Sequence, residues 1–229
     1  VTAPLLLLAH GAGSSAEFLA RAFPATAVRT TVRYLQDRSG APARIADALT
    51  AAAARSGDGP VVVGGVSVGA HGAALAAGRL GSRCAGLLAV LPARIGHEPA
   101  PALAYAAEEV ARDGPAGVLA RLAADPVAAR DWVTAELLAA WPDRPTLVAE
   151  LRAAAAAPGP ARCELAALTM PSCVLALRDD PLHPLEVARA WAAALPSAQL
   201  VELPRQAPAA DRSVFGAAVA AWLAGLPGR

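Results

Sequence analysis

Residues 61 to 75 read VVVGGVSVGAHGAAL, and the order of residue types in that stretch decides the fold. Val61-Val62-Val63 is a β-branched run with Pro60 before it and Gly64-Gly65 after it, the composition of a buried strand that ends at a tight turn. The turn reads Gly65-Val66-Ser67-Val68-Gly69. A serine at the apex of a strand-to-helix turn is held in a strained backbone conformation, and the flanking positions must be small because strand and helix approach closely there. Gly65 and Gly69 supply that space. Ala70 to Ala77 is helix-compatible and rich in small residues, as a helix pressed against a sheet needs to be. Ser67 is therefore the candidate nucleophile, with the positive end of a helix dipole beneath it. The plainer alternative is an ordinary strand-to-helix turn.

Outward from that stretch, short apolar runs alternate with alanine-rich helical segments, the pattern of an α/β fold around a mostly parallel sheet with helices on both faces. About six strands are predicted, at Pro4 to Ala9, Ala27 to Tyr34, Pro60 to Val66, Cys84 to Leu91, Cys173 to Leu177 and Gln199 to Leu203. Helices are predicted at Ala16 to Ala22, Pro42 to Arg55, Val68 to Leu80, Pro184 to Leu195 and Arg212 to Leu223. Between Leu91 and Met170 the strand signal disappears, and helix-forming sequence is broken at Gly114-Pro115, Trp141-Pro142 and Pro158-Gly159-Pro160. This predicts a helical cap inserted at about 98–168 into a single domain, since 229 residues fit one α/β unit. Tyr105, Trp132 and Trp141 fall in the cap. They either pack it onto the sheet or line a substrate pocket.

The first strand runs into His10-Gly11-Ala12-Gly13-Ser14-Ser15. Acyl transfer needs backbone N–H donors aimed at a developing oxyanion, and a glycine-rich loop after a strand lets bare backbone face a substrate. Ala12 and Val68 are the candidate donors. Together, Leu5 to Ser15, Gly65 to Gly69 and Asp180 to Pro184 resemble the α/β-hydrolase superfamily in order and spacing, over nearly the whole chain. The resemblance implies an α/β-hydrolase fold beginning at the family's third strand, a nucleophile at Ser67, an acid at Asp180 and a histidine after the last strand. That last position departs from the pattern, because residues 203 to 212 read LPRQAPAADR. No histidine follows His183.

The four histidines divide the role differently. His183 stands just before the helix-opening Pro184 and is the first choice as base, making the expected catalytic set Ser67, Asp180 and His183. His10 anchors the loop after the first strand or contacts substrate. His71, one helical turn past Ser67, is directed into packing behind the turn. His97, where the cap begins, faces the pocket in one reading. Asp211 is a further candidate base, against the simpler role of helix N-cap. A replacement within Ala207 to Ala210 and a natural use of the fold without a full triad both stay open.

Three function classes follow: a serine hydrolase or acyl-transfer enzyme for a small apolar ester or thioester; a cyclase, lyase or isomerase using the same pocket; and a non-catalytic ligand-binding protein. Formal net charge of +1, with charges interspersed, offers no basic patch for nucleic acid or an anionic membrane. A small-molecule or carrier-bound acyl substrate fits better. Arginine supplies every basic residue, which reads as the composition of a GC-rich genome such as an actinobacterium's. Gly11-Ala12-Gly13 lacks the third glycine of a dinucleotide loop, so no cofactor is expected, and no residues stand at metal-ligand spacing. Cys84, Cys163 and Cys173 read as buried free thiols in a reducing compartment. Leu5 to Ala9 is too short for a signal segment, and the alanine runs Ala51 to Ala54 and Ala153 to Ala157 are far below the roughly 20 apolar residues of a membrane span. A cytoplasmic location is the expectation.

Overall fold

The computed structural model describes residues 4–98 and 100–226. Its frame is a six-stranded, wholly parallel sheet formed by β1 (Leu5–Ala9), β2 (Val32–Leu35), β3 (Val61–Val66), β4 (Cys84–Val90), β5 (Ser172–Arg178) and β6 (Ala198–Pro204). The strands lie side by side in the order β2-β1-β3-β4-β5-β6. The chain thus enters in the interior of the sheet, steps out to one edge, and returns across β1 to build the rest. The reversal lies between β1 and β3, where the connections leave in opposite directions, the kind of switch point beside which open α/β sheets bind ligands at the carboxyl ends of their strands. Leu8 and Ala9 pair with Gly64 and Gly65 there, so the two chain segments read above as functional emerge next to each other.

The helices are α1 (Ala16–Ala22), α2 (Ala25–Val28), α3 (Pro42–Ala54), α4 (Val68–Leu80), α5 (Pro101–Ala124), α6 (Trp132–Ala140), α7 (Leu147–Ala156), α8 (Arg162–Ala166), α9 (Leu185–Ala194) and α10 (Val214–Ala224). Side chains alternate across a strand, and β1 shows the result: Leu7 and Ala9 enter the core under α3, α4 and α9, whereas Leu6 and Leu8 enter the one under α1 and α10. Both cores are apolar, which is why the strands read as continuous hydrophobic runs.

One strand differs from the sequence reading. Ala27 and Val28 belong to the short helix α2, whose end at Arg29 is left-handed with φ of 57°, and the strand begins only at Val32. Val28 is buried in the core shared with Phe215 and Val219 of α10. Gly216 makes that seat possible, since a Cβ there would lie 3.2 Å from both Ala27 Cβ and Val28 Cγ1.

Between β4 and β5 every regular element among the described residues is helical. Helix α5 kinks at Gly114, with φ of 70°, just ahead of Pro115. Val110, Leu119, Trp141, Leu147 and Leu151 form a separate small core that holds α5 against α7. These helices are called the cap below. Arg94 ties the cap to the sheet layer: its guanidinium donates to the carbonyls of Ala154, Ala155 and Ala157 at the end of α7, at 2.9, 2.9 and 3.0 Å. Trp191 of α9 in turn donates its indole N–H to the Arg94 carbonyl at 2.9 Å. No described helix is long and apolar enough to cross a membrane.

Candidate active site

Ser67 stands between β3 and α4 with φ of 57° and ψ of −120°, a combination that costs on the order of 1–3 kcal/mol and persists only where the surroundings impose it. The surroundings are the two flanking glycines. A Cβ on Gly65 would sit 2.3 Å from the Gly69 carbonyl carbon, and one on Gly69 would sit 2.5 Å from the Ala9 carbonyl oxygen. The Ser67 N–H donates to Val90 O at 2.9 Å, which carries the β3–β4 ladder up to the serine itself. Val68 is the first residue of α4, so its N–H has no intrahelical partner.

The loop after β1 closes on the same point. A Cβ on Gly11 would lie 3.1 Å from Ser67 Cβ and 3.8 Å from Ser67 Oγ. Gly13 takes φ of 71°. The N–H groups of Ala12 and Val68 engage no other described residue. His10 is buried, with its Nδ1–H donating to Gly11 O at 2.8 Å, and burial depresses its pKa. The ring is therefore neutral and braces the loop.

Asp180 and His183 form a pair at the end of β5. His183 Nδ1–H donates to Asp180 Oδ2 at 3.1 Å, while Asp180 Oδ1 accepts the Leu182 N–H at 2.9 Å. Burial works against ionisation of Asp180, but the hydrogen bond from His183, the charge of that ring, the Leu182 N–H and the charge of Arg205 together hold the carboxyl below the usual carboxylate range. Asp179 beside it is exposed, with φ of 61°. His183 is near enough to His71, on the first turn of α4, for its charge to disfavour protonation of that ring.

Comparison with known proteins bears on the fold. No family model and no curated protein matches the sequence. Among solved structures, an esterase from Thermogutta terrifontis superposes with a TM-score of 0.75 at 22% identity, covering 97% of this chain and 90% of its own. An enol-lactonase from Burkholderia xenovorans LB400 gives 0.76 at 18% identity, covering 98% and 92%. The esterase RhEst1 from a Rhodococcus species gives 0.72 at 17% identity, covering 98% and 92%. The chain has the α/β-hydrolase fold.

After β6, where the resemblance implies a histidine, residues 203 to 212 contain none, and Arg205 is the residue that follows the strand. Its Nη2 pairs with Asp131 of the cap, its carbonyl accepts the Trp132 indole N–H at 3.0 Å, and its charge acts on Asp180. Sequence reasoning passed over this residue, and only its position next to the expected histidine could have drawn attention to it. Asp211 is exposed and accepts the Ser213 N–H at 2.8 Å, an N-cap-like bond at the start of α10.

The remaining candidates are spread out. Trp132 is buried against Phe18 and Phe215, with Arg212 over its ring at 5.1 Å. Trp141 is buried with its indole N–H on Gly13 O at 3.0 Å. Tyr105 is 65% exposed and His97 is exposed at a turn. Among the described residues no group of three or more His, Cys, Asp or Glu could hold a metal ion. Cys84 and Cys173 are buried, and burial pushes the Cys173 thiol up to about 12. Cys163 departs from the expectation of burial. It lies exposed on α8, whose packing against the core is made by Leu165 instead.

Proposed function

We propose that this chain is a serine hydrolase or acyl-transfer enzyme acting on a small, largely apolar ester or thioester. The observation that carries the proposal is the Asp180–His183 hydrogen bond at the same sheet edge as the strained Ser67. In this reading the pair serves as the acid and imidazole of a triad, supplied from one turn rather than from two loops. Esterases and an enol-lactonase among the structural neighbours support an ester-type substrate.

In this mechanism Ser67 Oγ attacks the acyl carbon while His183 Nε2 takes the hydroxyl proton, and Asp180 holds Nδ1–H and stabilises the imidazolium. The N–H groups of Ala12 and Val68 receive the oxyanion, and the α4 dipole adds to their field. Collapse of the tetrahedral adduct breaks the bond to the alcohol or thiol, which leaves with the proton from His183. Water, or an acceptor nucleophile, then enters through His183 and releases the acyl group from Ser67.

A fluorophosphonate probe tests the reading directly. The expected result is a single adduct mapping by peptide mass spectrometry to Ser67, and an unlabelled Ser67 in folded protein rejects it. A second reading, a cyclase, lyase or isomerase that forms no acyl-enzyme, is favoured by the absence of a histidine from residues 203 to 212 and by the charge of Arg205 acting on Asp180. Turnover retained by a Ser67→Ala variant would select that alternative.

A further inference from the structure

The loop that carries Ala12 is fastened to the cap through its backbone. Gly13 donates its N–H to Glu150 Oε1 at 3.1 Å, and its carbonyl accepts the Trp141 indole N–H at 3.0 Å. The next carbonyl, of Ser14, accepts Arg144 Nη1 at 2.6 Å. Arg144 Nη2 lies 2.8 Å from Glu150 Oε1 and 2.7 Å from Oε2, so the two charged groups reaching the loop also hold each other. Glu150, Arg144 and Trp141 are 1%, 3% and 4% exposed.

A buried ion pair is an expensive way to hold helices together, because each charge gives up several kcal/mol of hydration that a packed apolar pair would not. The apolar contacts among Leu119, Leu147 and Leu151 already join the cap helices. What the pair adds is a set of fixed donors and acceptors aimed at the backbone of residues 13 and 14. The Ser14 N–H is taken internally by Gly11 O at 3.1 Å. Both polar groups of Gly13 and both of Ser14 are thus committed, and the Ala12 N–H, next in the chain to the Gly11 that meets Ser67, is left over. The position calls for glycine, since a Cβ at its left-handed conformation would lie 3.0 Å from Trp141 Nε1. The backbone of α7 is pinned from behind as well: Gly40 approaches so closely that a Cβ there would lie 2.1 Å from Glu150 O.

We infer that Trp141, Arg144 and Glu150 are positioning residues that set the Ala12 N–H as an oxyanion donor, so that the cap is part of the catalytic geometry and not only a cover over it. The inference rests on the serine-hydrolase reading. It also gives Trp141 a role distinct from substrate contact: the indole acts on the loop, and the loop acts on the substrate.

The test compares fluorophosphonate inactivation of the wild type, Trp141→Phe and Glu150→Gln, resolved into the affinity constant KI and the rate constant kinact. Phenylalanine keeps the ring in its apolar seat and removes only the donor to Gly13. Glutamine keeps an acceptor for the Gly13 N–H while breaking the charge pair, and serves if one variant proves unstable. Displacing an oxyanion donor by a fraction of an ångström to about 1 Å lowers the rate about 10- to 100-fold. The expected result is a fall of that size in kinact with KI within about twofold, together with faster hydrogen exchange confined to peptides covering residues 11 to 15. Equal kinact in the wild type and both folded variants overturns the inference, as does a change confined to KI, which would make Trp141 a substrate contact. A wild type that is never labelled overturns the serine reading itself, so the two failures are separable.

Discussion

Ser67→Ala and His183→Ala are each expected to reduce turnover of an activated ester by about 10⁶-fold, with the Ser67→Ala/His183→Ala double variant no slower than either. The reason is that nucleophile and base work as one unit. Without His183, the Ser67 hydroxyl keeps its proton and is a weak nucleophile, and without Ser67 the imidazole has nothing to deprotonate. Asp180→Asn should cost about 10⁴-fold, because an amide in place of the carboxylate presents a donor to Nδ1 and favours the wrong tautomer of His183. The measurement is kcat for a p-nitrophenyl ester of short chain length, with each variant shown to be folded by near-ultraviolet circular dichroism. The double variant is the informative member. If His183 merely completes the turn around Asp180, its alanine variant will lose little activity, and its effect will add to that of Ser67→Ala. That outcome would move the search for a base to Asp211 and the loop after β6.

The elbow was legible because its requirements are local and steric. A serine flanked by glycines at −2 and +2, after a β-branched run and before small helix formers, leaves few other structures available, and the close approaches at Gly65 and Gly69 show why those positions are bare. Asp180 and His183 were picked out singly, the acid through the resemblance and the histidine by its place before Pro184, and one turn brings them into hydrogen-bond contact. Two kinds of feature escaped. Residues 27 and 28 read as the start of a strand, but Val28 gains more by burial beside Phe215 and Val219 than from its β-propensity, a tertiary override that a local reading cannot see. The fastening of Gly13 to Glu150 spans 137 residues of sequence, and the Glu150 end belongs to no recognisable motif. Arg94 and Arg205 escaped likewise, since an arginine that serves backbone carbonyls or a distant aspartate looks in the sequence like any other surface charge.

His71 should make the protein acid-sensitive in a way that a single substitution removes. The ring is stacked on Trp191, with centroids 5.7 Å apart and planes 24° from parallel, and neither nitrogen has a hydrogen-bond partner among the described residues. Burial, reinforced by the charges of Arg94 and His183, lowers its pKa to about 3. In the unfolded chain the same ring takes up a proton near pH 6.5. Between those two values the unfolded state binds the extra proton, so stability is fully present above about pH 6.5 and falls as the pH drops toward 3, by about 1.4 kcal/mol per unit. His10, whose pKa burial also lowers, contributes in the same direction, so the wild-type curve alone does not isolate either ring. The difference between wild type and His71→Phe does. Phenylalanine keeps an aromatic ring against Trp191 and titrates nowhere, so its stability relative to wild type should rise by about 2 to 3 kcal/mol between pH 6.5 and 4.5. Urea unfolding at several pH values measures this, with the slope of free energy on denaturant checked for constancy. Parallel curves for the two proteins would mean that His71 finds a way to carry its proton inside the fold, and the stacked, neutral ring behind Ser67 would have to be abandoned.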